Sequence, residues 1–173
     1  MTITKPTSAE HLPYYGAYIN RVHGDWFAFL TQTHATLKSL VTPLSEPQAE
    51  HRPGPTEWNI KEIIGHISDS ERIFAYRALR IARKDTTPLP GFDQDPYVPA
   101  GEFTARPLAD LWQELETVRA ATITLFNSFT ADAVLRVGTA SNGPISVRAL
   151  AYSIAGHEDH HLESIKTVYL NKI

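Results

Sequence analysis

Three histidines and three acidic residues occur within nine positions near the end of the sequence, in GHEDHHLES at 156–164. Imidazole nitrogens bind zinc, nickel, iron or copper, and two histidines four residues apart on a helix can reach one ion. His157 and His161 have this spacing. At about 100° per residue both face the apolar stripe of the helix, with His161 near its centre and His157 at its edge. His160 lies about 60° to the other side and is left out of the predicted ligand set.

A third ligand is expected from another helix, because a catalytic zinc usually has three protein ligands and one open position. His66 lies beside the apolar stripe of the second predicted helix and is the favoured candidate. His34 on the first predicted helix is the rival. Glu62 or Asp69 could accept the second ring proton of His66. The alternative is that these are buried histidines with ordinary hydrogen bonds and no metal.

The residues HEDHH also match the H-E-x-x-H pattern of zinc metalloproteases, in which the glutamate is the general base. Glu158 would be that base. Two features weaken this alternative: no mixed sheet is evident beside the helix, and the motif lies close to the end of the sequence. Glu158 is nevertheless the one acidic residue of the stretch for which we predict a catalytic role.

Further polar residues lie near the predicted ligands. Ser70 and Arg77 share the helix face of the predicted third ligand, and Arg77 could line a pocket or pair with an acid on a neighbouring helix. The proline-rich segment PLPGFDQDPYV could wall such a pocket through Tyr97 or Asp93. It could equally be a packed connection with no role at the site.

Four amphipathic stretches are expected to position these residues. The predicted helices cover residues 25–41, 59–84, about 107–129 and about 146–169. A shorter helix is expected in YYGAYINRV, and Asn142-Gly143 is predicted to be the turn of a small hairpin. More than 20 residues separate the second and third helices, and this length indicates a crossover along the bundle. We therefore predict an all-α protein, a single four-helix-bundle domain over residues 1–173 with a long crossover between helices 2 and 3.

The composition excludes several function classes. The chain has 173 residues, a formal net charge of -3 and no run of basic residues, which argues against nucleic acid or an anionic membrane as partner. Neither a signal peptide nor an apolar stretch of membrane-spanning length is evident, so a cytoplasmic location is expected. There is no cysteine. Any metal must therefore be held by nitrogen and oxygen, and any thiol must come from outside the chain.

Two motifs, EWNIKEIIGHISDSERIF and AGHEDHHLESI, are similar to those of a known family. Together with the spacing between them, they make residues 25–170 resemble the DinB/YfiT-like metalloproteins, which are unrelated to the DNA polymerase that shares the DinB name. The resemblance implies a four-helix bundle with a crossover, and a divalent metal, zinc or nickel, held by His66, His157 and His161. It also implies a homodimer and the use of a low-molecular-weight thiol such as bacillithiol, mycothiol or glutathione.

These observations lead to one expected function and its alternatives. The expected function is a metal-dependent transferase that uses a low-molecular-weight thiol on a small-molecule substrate. A metal-dependent hydrolase would use the same three histidines, with Glu158 as base for the attacking water. A non-enzymatic metal-binding stress-response protein is the third possibility, and a purely structural bundle is the fourth.

Overall fold

The computed structural model describes residues 3–170, and four of its helices are long. None of the helices among these residues is long and apolar enough to cross a membrane. A two-stranded hairpin precedes the last helix, and a π-helical turn, Ile165–Tyr169, follows it. In chain order the elements are α1 (Pro13–Ile19), α2 (Trp26–Val41), α3 (Glu46–Glu50), α4 (Ile60–Ala82), α5 (Gln94–Ala100), α6 (Leu108–Asn127), α7 (Ala131–Val134), β1 (Val137–Ala140), β2 (Gly143–Ser146) and α8 (Val147–Ser164).

Side-chain caps begin three of the four long helices. The Asp25 carboxylate accepts hydrogen bonds from the backbone amides two and three residues later, at the start of α2. At the start of α4 the Asn59 side chain accepts from the Glu62 amide, and the Glu62 carboxylate accepts from the Asn59 amide, both at 2.9 Å. At the start of α8 the Ser146 hydroxyl accepts from the Ala149 amide at 3.0 Å. The four long helices are confirmed, and the short helix expected in YYGAYINRV is α1.

The apolar core has two halves. One half joins the beginnings of α2 and α8 to the ends of α4 and α6, and the other joins the ends of α2 and α8 to the beginnings of α4 and α6. It follows that α4 and α6 run parallel to each other and antiparallel to α2 and α8, so the predicted crossover is confirmed. Between the halves lies a set of polar side chains that we call the polar layer: His34, His66, Glu71, Arg119, His157 and Glu158.

The crossover between α4 and α6 contains two helical segments that were not predicted from the sequence. These are α5 and a 3-10 turn at Phe103–Ala105. Asp93 caps α5 by accepting from an amide two residues later at 3.1 Å. Pro96 lies in the first turn, where backbone amides have no partner within the helix, so it does not prevent the helix. Because prolines are typical of loops, the sequence pattern around Pro96 and Pro99 does not indicate this short helix.

The hairpin is confirmed, but its turn lies one residue earlier than predicted. The two central turn residues are Ser141 and Asn142, with φ of 53° and 64°, which corresponds to a type I′ turn. Gly143 instead begins β2, paired with Ala140. A Cβ atom there would lie 2.4 Å from the Leu12 side chain, which favours glycine at this position. The Ser141 amide donates to the Leu89 carbonyl at 3.1 Å, which joins the hairpin to the crossover.

Candidate metal centre

Three imidazoles from two helices converge at the polar layer: His66 and His157 belong to it, and His161 lies beside it, one turn after His157. The Nε2 atoms of His66 and His157 are 3.0 Å apart, and those of His157 and His161 are 3.1 Å apart. One ligand nitrogen from each of the three lies within 4.8 Å of the others. The structure therefore brings together the three histidines selected from the sequence. Their role as metal ligands stays a prediction.

The donor set fits a divalent transition metal. Bonds of about 2.0–2.1 Å to a tetrahedral ion place two nitrogen ligands about 3.3 Å apart, close to the spacings described above. Burial, with a smaller effect from His160, lowers the pKa of His66 to about 4. Burial and the neighbouring histidines lower the pKa values of His157 and His161 well below the usual value. All three rings are thus neutral near pH 7, the form that binds metals.

The histidines of α8 differ in exposure. His157 is buried, whereas His161 is partly exposed and His160 is exposed. The reason is helix α1, which packs on α8 immediately before His157. A Cβ atom on Gly156 would lie 1.9 Å from the Tyr18 carbonyl oxygen, and the Tyr18 ring contacts the His157 ring edge-on at 5.2 Å. The wheel describes α8 alone and contains no information about α1.

The two carboxylates considered as partners of His66 are engaged elsewhere. Glu62 caps α4 and pairs with Arg52 at 2.5 Å. Asp69 forms an ion pair with Arg72 at 3.4 Å.

Glu158 lies in a buried ionic cluster within the polar layer. Arg119 Nη2 donates to Glu158 at 2.6 Å and to Glu71 at 2.8 Å, and His34 Nδ1 lies 3.2 Å from Glu158. Burial raises the pKa of Glu158, but the Arg119 charge and the contacts with His34 and Arg119 outweigh it and lower the pKa overall. Glu158 is therefore ionised with its charge already paired. His34, the rival ligand, belongs to this cluster. It lies outside the group formed by His66, His157 and His161, which we call the histidine trio.

Glu71 and Arg119 are members of this cluster that were not predicted from the sequence. Both occupy positions in an apolar stripe: Glu71 lies between Ile67 and Phe74 at helical spacing, and Arg119 lies one turn after Leu115. A charged residue in the stripe of one helix indicates an opposite charge on a facing helix. Glu71 on α4, Arg119 on α6 and Glu158 on α8 are the charged residues that carry this signal.

A cavity of about 300 Å³ opens beside His157. Its inner wall carries buried residues of α1 and α4, including Ser70 and Arg77. The crossover does form part of the wall, through Gly91, Phe92 and Gln94 rather than through Tyr97 or Asp93. A larger cleft of about 770 Å³ lies between the end of α4 and the hairpin. None of the three histidines lines it, so it is not the candidate site.

A bundle with a long crossover and three converging histidines belongs to the class of metal-binding helical bundles. Residues 17–165 match the sequence pattern of the DinB superfamily. That range is most of the chain, and the protein therefore belongs to the DinB superfamily, as the resemblance implied.

Three known proteins are similar to this chain. A protein of Oceanobacillus iheyensis named "Putative metal-dependent hydrolase OB0413" is 26% identical over 155 residues, which is 88% of each chain. The structure of YfiT from Bacillus subtilis, described as a "probable metal-dependent hydrolase with an unusual four-helix bundle topology", has a TM-score of 0.76 at 15% identity, covering 98% of this chain and 93% of YfiT. A mycothiol-dependent maleylpyruvate isomerase has a TM-score of 0.66 at 11% identity, and the match covers 91% of this chain and 62% of the isomerase. The two structures share the fold.

Proposed function

We propose that this protein is a divalent-metal-dependent enzyme that transfers a low-molecular-weight thiol to a small-molecule electrophile. The observation that carries the proposal is the position of His157, which belongs to the histidine trio and also lines the cavity. Three protein ligands beside an accessible space are typical of catalytic zinc, whereas structural zinc is enclosed by four.

The residues around the cavity support thiol chemistry. A divalent ion on three neutral imidazoles would lower the pKa of a thiol that binds it. The thiol proton passes to solvent, the sulfur forms a bond to the electrophilic carbon, and the leaving group departs with its bonding electrons. The chain has no cysteine, so the sulfur must arrive with a cosubstrate. Burial raises the pKa of Tyr18 and keeps its phenol protonated, so Tyr18 can donate a hydrogen bond to a bound substrate.

Hydrolysis is the second candidate, and the name of the Oceanobacillus iheyensis relative favours it. In that reaction Glu158 would accept a proton from the attacking water. Its carboxylate is fully buried and already paired with Arg119, so it would have to leave this partner first. The geometry therefore favours the thiol reaction over a hydrolase that relies on Glu158.

Metal content tests the ligand assignment. We expect the purified protein to bind one divalent ion, and we expect His66→Ala, His157→Ala and His161→Ala each to lose most of it. His160→Ala is the matched control, because His160 is adjacent in sequence but lies outside the trio. Elemental analysis after loading with zinc or nickel measures the result. Unchanged metal content in the three variants would show that these histidines are not the metal ligands.

Turnover assays separate the candidate functions. The metal-loaded protein is incubated with bacillithiol, mycothiol or glutathione and an electrophile such as monochlorobimane, and separately with ester and amide substrates without thiol. Metal-dependent thiol consumption supports the transferase. Hydrolysis that is lost in Glu158→Gln supports the second candidate. A metal-bound protein that does neither would overturn both and favour a non-enzymatic metal-binding role.

We also propose that the protein is a homodimer and acts in the cytoplasm. Light scattering of the purified protein and fractionation of cells test these two points directly.

A further inference from the structure

Arg77 is a buried cation without an acidic partner. Only 2% of the residue is exposed. Its Nη1 donates to the Tyr15 hydroxyl at 3.0 Å, and its Nη2 donates to the Pro90 carbonyl at 2.7 Å and the Ser141 hydroxyl at 3.2 Å. All three acceptors are neutral, and no carboxylate among residues 3–170 lies within ion-pair distance of Arg77. These contacts fix the side chain but do not balance its charge.

The other buried arginine of the bundle shows the usual arrangement. Arg119 is paired with both Glu71 and Glu158. Removal of a charge from water is costly unless an opposite charge compensates for it. Arg77 lines the cavity beside the histidine trio, where a ligand can supply the missing negative charge.

A polar group without a hydrogen-bond partner lines the same cavity. The Ser70 hydroxyl is buried, with 1% of the residue exposed, and it has no hydrogen-bond partner among residues 3–170. Ser70 lies on α4 one turn after His66, and Arg77 lies two turns further along the same face. Buried hydroxyl groups normally have a partner. The free hydroxyl is thus a second, independent indication that a polar ligand occupies the cavity.

We propose that the cavity binds a small organic anion whose negative group pairs with Arg77. The Ser70 hydroxyl donates a hydrogen bond to the same ligand. The end of the ligand that is far from Arg77 reaches the histidine trio. The rings of Tyr14, Tyr18, Phe74 and Phe92 line the cavity, so the body of the ligand is apolar or aromatic. This assignment names the substrate class of the proposed enzyme and rests on the proposed function only for the identity of the reacting end.

Binding of two probes that differ only in charge tests the assignment. Phenylacetate and phenylacetamide are titrated by calorimetry into the metal-loaded protein and into the metal-depleted protein. We expect the wild type to bind the acid about ten- to a hundredfold more tightly than the amide, in line with a hydrogen bond to a charged group. In Arg77→Met we expect this preference to disappear, and in Arg77→Lys we expect part of it to remain.

Arg72→Met is the matched control. It removes one positive charge from the same helix, but Arg72 lies at the surface and pairs with Glu114. It should keep the full preference for the acid. The assignment is overturned if the wild type binds neither probe, if it binds both equally, or if Arg77→Met keeps the preference.

The metal-depleted protein separates this assignment from the proposed function. A preference that requires the metal places the anion at the histidines and overturns the assignment to Arg77. A preference that persists without metal supports Arg77 even if the loaded protein shows no thiol transfer. If Arg77→Met does not fold, the wild-type comparison and Arg77→Lys still decide the outcome.

Discussion

Replacement of Arg119 by methionine tests the buried ionic cluster. The guanidinium is held by Glu71 at 2.8–3.1 Å and by Glu158 at 2.6 and 3.3 Å. Methionine keeps much of the packing of the stem but leaves two buried carboxylates without a counter-ion. Removal of one partner from a buried ion pair costs about 3–5 kcal/mol. That is a large part of the 5–15 kcal/mol or so by which a typical domain is stable.

Urea denaturation of the metal-free protein at pH 7 measures this loss. The control is Arg72→Met, which breaks an ion pair of 2.6 Å with Glu114 at a side chain that is 48% exposed, and we expect it to cost less than about 1 kcal/mol. The triple variant Arg119→Met, Glu71→Gln, Glu158→Gln should recover most of the loss, because no charged side chain of this cluster is then left without its partner.

The loss should also shrink on acidification. In the wild type burial raises the pKa of Glu158, but the charge and hydrogen bonds of Arg119, together with the His34 contact, outweigh this effect and lower the pKa overall. Without Arg119 burial dominates, so the pKa of Glu158 in the folded variant rises above its value in the unfolded chain. The folded variant then takes up protons as the pH falls from 7 to 5 and gains stability relative to wild type. A loss below about 1 kcal/mol at pH 7, or a loss that grows on acidification, would refute this reasoning.

Three further predictions concern the stability of the fold. In metal-depleted protein the pKa of His66 is about 4 against an ordinary 6.5, so on acidification the unfolded chain takes up this proton before the folded chain does. The free energy of unfolding should therefore fall by about 3 kcal/mol between pH 6.5 and pH 4. Denaturation curves that do not change over this range would contradict the prediction. Gly156→Ala should cost about 1–3 kcal/mol, because its Cβ would meet the Tyr18 carbonyl at 1.9 Å, and an unchanged melting temperature would show that α1 moves freely. Lys84→Gly should stabilise by about 1 kcal/mol, because Lys84 has φ of 65° at the end of α4, and a lower melting temperature would count against this reasoning.

Local features of the sequence were sufficient to predict the four long helices and the shared site of His157 and His161. Asp25 and Asn59 act on amides two or three residues away, and His157 and His161 are one helical turn apart. Arg119 is different, because its partners lie 48 and 39 residues away, and the positions of these charges in the apolar stripes do not say which of them pair. The cavity is formed by α1, α4, α8, the crossover and the hairpin turn, which share no common period. Such non-local arrangements depend on how the elements pack.

The polar layer also has a consequence for folding cooperativity. It interrupts the apolar packing at mid-height, so each half of the core could open without the other. His66 belongs to α4, while His157 and His161 belong to α8, so these candidate ligands join two helices that each pack in both halves of the core. Binding of an ion to the folded chain adds its free energy to the stability of that state. Metal loading would therefore turn two partly independent halves into one cooperative unit, and hydrogen exchange along α4 and α8 would slow together.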